Sequence, residues 1–321
     1  MSRTPSQCLE IEPALAATAT GDGDAAEAAR VETHVRACAP CRAAFARYRD
    51  LGRAVAAWGR APETPPDAAR ARLESRLANL RARTLLYRVF SSPLGDLLIA
   101  RSEDGVSLVE YLAGRDLRHS RLLRAAGVEA LEDGAEVEVL YRELLEYLEH
   151  KRTRLEWPLD LRLARSDFHR RVLAATAEIP HGAVMSYAGI ACEIGKPAAV
   201  RAVAQALRWN PLPIVVPCHR VVGASGALTG YAGARVALKQ RLLAVEGVPA
   251  VRGRDDYRIP RDAMYVRTPG SAEYCLPSCT WLERVEQPQR IVRFGSRASA
   301  EAAGLAPCTD CRPDLHPLAR S

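Results

Sequence analysis

The chain reads as an α+β protein in which a small sheet domain precedes a helical domain, with a compact cysteine-bearing module at each end. Three observations point there. Residues 85–111 hold short apolar and β-branched runs broken by turn signals, and residues 135–207 carry apolar residues at helical spacing. Cys8, Cys38 and Cys41 gather near one end, and Cys275, Cys279, Cys308 and Cys311 near the other. With 321 residues there is room for two or three domains, and 48% hydrophobic with 26% charged residues is an ordinary globular composition. The net charge of +7 permits a nucleic-acid partner through phosphate contacts, while 6% aromatics argues against base stacking along an extended strand. No apolar run approaches the roughly 20 residues of a membrane helix. The first residues lack a basic stretch followed by an apolar core, so a soluble, cytoplasmic protein is expected. Thiols stay reduced there, and clustered cysteines then read as metal ligands or nucleophiles rather than disulfides.

Taken in order, residues 1–58 carry Cys8, His34, Cys38 and Cys41. Residues 59–84 open with Gly59, Pro62, Pro65 and Pro66 and continue as an Arg- and Ala-rich stretch, which predicts a solvated linker helix. In residues 85–160, Tyr87–Phe90, 96–100 and 105–111 read as strands, the first two around Ser92-Pro93-Leu94-Gly95. Val139, Leu140, Leu144, Leu145 and Leu148 predict a helix over 135–150. In residues 161–262, Asp167 is the expected cap of a helix burying Phe168, Val172 and Leu173, and Ser186 that of a short helix ending near Ile194. Gly195-Lys196-Pro197 reads as a turn before a helix from Ala198 to Leu207, the outline of a helix-turn-helix. Val221-Val222 and Leu228-Thr229, joined by residues 223–226, read as a small hairpin or wing. Residues 263–321 form the last module.

The most informative stretch is Pro217-Cys218-His219-Arg220-Val221, preceded by Asn210-Pro211 and followed downstream by Leu242-Leu243 and Glu246-Gly247. This constellation resembles the active-site segment of O6-alkylguanine-DNA alkyltransferases. The resemblance implies a ribonuclease-H-like sheet subdomain, a winged helix-turn-helix domain, and repair of double-stranded DNA by moving the alkyl group of O6-alkylguanine, with O4-alkylthymine as a further substrate, onto the protein's own cysteine. Attack by sulfur on an O-alkyl carbon needs a thiolate, so a base must take the proton. By resemblance Cys218 is the acceptor, His219 takes its proton through water, Glu246 orients His219, and Asn210 shapes the active-site turn. Arg201 would enter the stack vacated by the flipped base, Ala202 would let the recognition helix approach the minor groove, and Tyr187 would push the target phosphate. Tyr231 would contact the alkylated oxygen, and Arg220 is placed with the DNA contacts. Flipping is required because the O6 carbon is out of reach inside a stacked duplex. Two departures predict a differently shaped loop over the pocket: Tyr231-Ala232-Gly233-Ala234 replaces a Tyr-x-Gly-Gly pattern, and Lys239 follows one residue later than in the family. Trp209 is bulkier than the residue usually before the asparagine. Cys192 reads as a small buried hydrophobe.

Cys275-x3-Cys279 and Cys308-x2-Cys311 make two close pairs suited to a tetrahedral structural zinc. Their surroundings resemble the zinc domain of the bacterial adaptive-response (Ada) proteins, which implies Cys275 as a second methyl acceptor, from DNA phosphotriesters. Leu276, Thr309 and Asp310 replace residues that are commonly basic there, which weakens phosphate attraction. His34-x3-Cys38-x2-Cys41 with Cys8 fits a second zinc site and resembles the zinc-binding anti-sigma-factor domain, which implies a sigma-factor partner. No organic cofactor is expected. The primary reading is a single-turnover methylated-DNA cysteine methyltransferase. The alternative is an alkylation or redox sensor acting as a regulator through residues 1–58.

Overall fold

The computed structural model describes residues 5–58, 67–112, 114–115, 117, 120–121, 127–231, 235–253 and 257–318. Gly59, Pro62, Pro65, Pro66 and the loop residues 232–234 lie outside them. The chain divides into two compact units, Met1–Ser75 and Arg76–Ser321.

The first unit is built on α1 (Pro5–Thr20), α2 (Ala25–Ala37) and α3 (Ala39–Trp58). Asp24 starts α2 because its carboxylate accepts from the Glu27 amide, satisfying an orphan donor of the first turn. Ile11, Leu15, Val31, Cys38 and Cys41 form its small buried core. Helix α4 (Asp67–Arg83) buries no residue, as its charge-rich sequence predicts for a solvated helix.

The second unit opens with β1 (Thr84–Ser92), β2 (Gly95–Arg101) and β3 (Val106–Tyr111), an antiparallel run matching the three expected strands. A fourth strand, β4 (Glu129–Glu132), pairs parallel to β1 and gives the order β3-β2-β1-β4. Its sequence hid it: four residues with two glutamates and little burial leave no apolar alternation to read. Helix α5 (Ala135–Leu148) lies against this sheet through Val137, Leu144 and Tyr147, whereas the expected Val139 is 45% exposed. Leu140, Leu144 and Leu148 of the expected stripe do face the core, and Val137 and Tyr147 widen it.

Helix α6 (Asp167–Ala177) is capped by Ser166, one residue before the expected Asp167; the serine hydroxyl accepts from His169 N, and Asp167 becomes the first helical residue. Ser186 ends strand β5 (Ala183–Ser186) and caps α7 (Tyr187–Glu193) as expected. A turn then leads into α8 (Val200–Arg208), which starts two residues later than read, because Pro197 and Ala198 belong to the turn closed by Ala199 N to Lys196 O. The expected 221–229 hairpin is not a ladder. Strand β6 (Val221–Val222) pairs parallel to β5, and one bond from Gly223 N to Ala227 O closes the turn. Helix α9 (Val236–Val245) and the short pair β7 (Val251–Arg252) and β8 (Tyr257–Arg258) complete this region.

The C-terminal segment does not fold apart from it. Strands β9 (Tyr265–Arg267) and β11 (Val292–Phe294) join β5 and β6 in one sheet of order β6-β5-β11-β9. β10 (Glu273–Tyr274) and β12 (Ala306–Pro307) make a parallel pair, with α10 (Arg297–Ala302) before β12. Tyr274, Phe294 and Ala300 share one core with Val172, Leu173, Ile190 and Val203. No helix among the described residues is long and apolar enough to cross a membrane.

Candidate active site and metal-ligand clusters

The turn after α8 is organised by Asn210. Its amide Nδ2 donates to Val216 O (2.9 Å) and to Cys218 Sγ (3.2 Å), while Oδ1 accepts from Leu212 N (2.9 Å). One asparagine thus folds the loop and holds the sulfur. Ile214 in this loop takes φ 76°, a strained conformation for a β-branched residue that the buried surroundings enforce. Asn210→Ala leaves three buried partners unmatched and should cost roughly 1–3 kcal/mol, read as a shift in the urea midpoint at constant slope.

A 3-10 turn at Cys218–Arg220 sends His219 and Arg220 inward. His219 Nε2 lies 2.6 Å from Glu246 Oε1, and both side chains are fully buried. Because a carboxylate can only accept, Nε2 carries the proton and Nδ1 presents its lone pair; Nδ1 has no protein partner. Glu246 also binds Arg220 Nε at 3.0 and 2.9 Å through its two oxygens, and accepts from Tyr147 Oη (2.5 Å) and Gly182 N (2.9 Å). Arg220, expected at the DNA, is instead spent inside: its side chain is 9% exposed, and Nη1 donates to Ile179 O. A buried carboxylate needs this counter-charge, which is why the arginine turns inward.

The electrostatics order the three groups. Burial pushes the Glu246 carboxyl up, but the charges and hydrogen bonds of His219 and Arg220 win and hold it well below the usual carboxylate range. Burial depresses His219 in spite of Glu246, so the ring stays neutral and able to accept a proton. Burial raises the Cys218 thiol against the opposing Asn210 bond and the Lys239 charge, so the resting sulfur is protonated. Lys239, itself lowered to about 8 by burial, donates to Val221 O (2.5 Å) and Thr229 O (3.1 Å).

Cys218 opens onto a cavity of about 330 Å³ lined also by Tyr111, Asn210, Pro213, Tyr231 and Arg235. Tyr231 Oη meets Tyr111 Oη at 3.0 Å. Arg121 donates to the carbonyls of Trp209 and Asn210 (3.3 and 2.9 Å), and Arg165 stacks 3.7 Å over the half-exposed Trp209 ring. Tyr111, Arg121 and Tyr147 escaped sequence reading because each reaches the site across 88 or more residues of chain. Tyr187 is half-buried at the start of α7, its hydroxyl donating to Thr229 O (3.4 Å). Arg201 and Ala202 are exposed on α8, opposite its buried Val203, Ala206 and Leu207. Cys192 is half-buried.

The two cysteine sets each converge. The ligand atoms of Cys8, His34, Cys38 and Cys41 lie within 4.8 Å of one another, as do those of Cys275, Cys279, Cys308 and Cys311, so both could hold a metal ion. In the first set Cys8 Sγ is 3.8 Å from Cys38 Sγ and 3.9 Å from His34 Nε2, and His34 Nε2 is 3.3 Å from Cys41 Sγ. In the second, the Leu276 amide donates to Cys311 Sγ (3.3 Å), and Cys275 and Cys308 line a cavity of about 780 Å³ together with Trp281, Arg284 and Arg290.

Comparison with known proteins adds the following. Residues 85–161 match the family described as 6-O-methylguanine DNA methyltransferase, ribonuclease-like domain, and residues 167–248 its DNA binding domain. A methylated-DNA–protein-cysteine methyltransferase of Methanosarcina acetivorans is 37% identical over 165 residues, which are 51% of this chain and 99% of that protein. The constitutive enzyme of that name from Bacillus subtilis is 37% identical over 163 residues, 50% of this chain and 95% of that protein. Among solved structures, the O6-methylguanine methyltransferase of Mycobacterium tuberculosis is 36% identical, covering 50% of this chain and 92% of that one, with a TM-score of 0.43.

Proposed function

The chain belongs to the methylated-DNA–protein-cysteine methyltransferase family, and from that premise we propose that Cys218 is its alkyl acceptor, with the ribonuclease-H-like subdomain at 85–160 and the winged helix-turn-helix domain at 161–262 presenting it to double-stranded DNA. The observation that carries the reading is the hydrogen-bonded line Asn210–Cys218 and His219–Glu246 beside a base-sized cavity. His219 takes the thiol proton, by way of water, onto Nδ1, and the anionic Glu246 stabilises the imidazolium that forms. The sulfur attacks the O-alkyl carbon, the carbon–O6 bond breaks with its electron pair passing to guanine, and a thioether remains. Nothing regenerates the thiol, so each molecule turns over once. Tyr231 faces the base edge in the cavity, and Arg201, Ala202 and Tyr187 act at the duplex, where flipping costs a few kcal/mol.

Zinc suits both ligand sets. Bonds of about 2.3 Å to sulfur and 2.0–2.1 Å to nitrogen place tetrahedral donors roughly 3.5–3.8 Å apart, close to the separations in the first set. Bound zinc would supply structure there through Cys8, His34, Cys38 and Cys41, and in the C-terminal segment through its four cysteines. A cavity reaches Cys275, the access that phosphotriester acceptance as a second activity requires, but Glu273, Glu286 and Asp310 line it beside Arg284, and its Arg290 is paired with Glu193. Leu51, Val55 and Trp58, exposed in one stripe of α3, support a protein contact, such as a sigma factor, for residues 1–58.

The test is intact mass and peptide mapping after incubation with duplex DNA containing O6-methylguanine. One methyl is expected on the Cys218 peptide, and none there in Cys218→Ser. Absence of transfer from reduced, zinc-loaded protein would overturn the reading.

A further inference from the structure

The C-terminal cysteine module is wired to Glu246 through two glycine peptides. Gly182 donates its N–H to Glu246 Oε2 (2.9 Å), and its carbonyl accepts from Gly295 N (2.9 Å), the residue that follows β11. Both glycines are required by space. Gly182 has φ +72°, and a Cβ there would stand 2.4 Å from Ser299 Oγ of α10. A Cβ on Gly295 would meet Gly247 O at 2.5 Å and Val248 Cα at 2.8 Å, the backbone immediately after Glu246. The same segment continues as a transverse row of backbone pairs. Cys275 bridges Val266, Val266 pairs with Arg293, and Arg293 pairs with Val184 in β5. The next residue, Met185, pairs with Val221, directly after the Cys218–Arg220 turn.

We propose that Gly295 and Gly182 are positioning residues for alkyl transfer, so that the C-terminal segment completes the Cys218 site. The inference rests on the function proposed above and extends it. Glu246 has five bonds to hold it, and the Gly182 amide is the one supplied by main chain; fixing that peptide fixes the carboxylate oxygen opposite the one facing His219. A misplaced carboxylate would leave His219 less able to hold the proton it takes from Cys218.

Gly295→Ala in the full-length protein tests it by single-turnover transfer from an O6-methylguanine duplex. The limiting rate should fall on the order of 10- to 100-fold, the loss a displacement of about 1 Å brings, while the DNA concentration giving half the limiting rate stays unchanged. A glycine that serves packing alone would lower the melting temperature and leave the limiting rate of the folded protein intact; that result overturns the proposal. Should Gly295→Ala not fold, Ser299→Val crowds the other face of Gly182 and carries the same expectation. If the unsubstituted protein moves no methyl, the functional reading fails on its own. The junction is then judged by the rate of Cys218 alkylation with iodoacetamide, referenced to Cys192. Gly295→Ala should slow Cys218 several-fold relative to Cys192, and an unchanged ratio overturns it.

Discussion

Glu246→Gln should destabilise the fold by about 3–5 kcal/mol, the scale for leaving one member of a buried ion pair without its partner. Glutamine keeps the shape but removes the charge that Arg220 was buried against. The deficit should also depend on pH in a defined direction. The folded carboxyl lies well below its ordinary value, held there by the charges of His219 and Arg220 against the opposing effect of burial. Its contribution is therefore complete above the unfolded value of about 4.3 and is lost as pH falls toward the folded one, at up to about 1.4 kcal/mol per pH unit. Urea titrations between pH 7 and pH 3 should show a gap between the two proteins that narrows in acid. His219, depressed by burial against the opposing effect of Glu246, lowers the stability of both proteins below about pH 6.5, so the narrowing due to Glu246 is read below about pH 4.3. A gap constant down to pH 3 would mean that the charge of Glu246 is not its contribution. Methyl transfer to Cys218 should slow by about 100-fold, the range for loss of a positioned proton-transfer partner.

Removing zinc should unfold α1–α3. Among the described residues their buried core holds Ile11, Leu15 and Val31 besides Cys38 and Cys41, with Cys8, Ala14, Val35 and Phe45 partly buried against it, too little for a module of this size to stand alone. A structural zinc contributes about 10–16 kcal/mol in small domains, so the metal rather than the core would decide the fold. Far-UV circular dichroism during chelation should lose helical signal together with zinc release. Cys38→Ser should show the loss without chelator. Because thiols must lose protons to bind the metal, release should occur at lower chelator concentration as pH falls. Full helical signal in metal-free protein would contradict this.

Much of this was legible because it is local. Apolar runs broken by turn signals over 85–111 mark three strands, Ser186 marks a helix start, and the spacing of Cys275, Cys279, Cys308 and Cys311 marks a ligand set, since each depends on neighbours a few residues away. Cys218, His219, Asn210 and Glu246 stood out as a constellation, and the fold brings them together in pairs. Arg220 was misplaced because sequence shows a cation but not its counter-ion. Only packing brings Glu246 within 3.0 Å, and burial makes the pairing compulsory. Tyr111 on β3, Arg121 and Tyr147 on α5 likewise reach the site only through tertiary packing, which no periodicity encodes.

Sequence alone determined the chemistry on offer: one cysteine beside a histidine with a distant glutamate, and two sets of soft ligands. Tertiary structure alone decided the charge state of each group and where the C-terminal segment ends up. Desolvation and non-local charges, which set whether Cys218, His219 and Glu246 are protonated, exist only once the chain is packed. Likewise, the pairing of β11 with β5 is a backbone match between residues about 110 apart, and no side-chain pattern in either strand announces it.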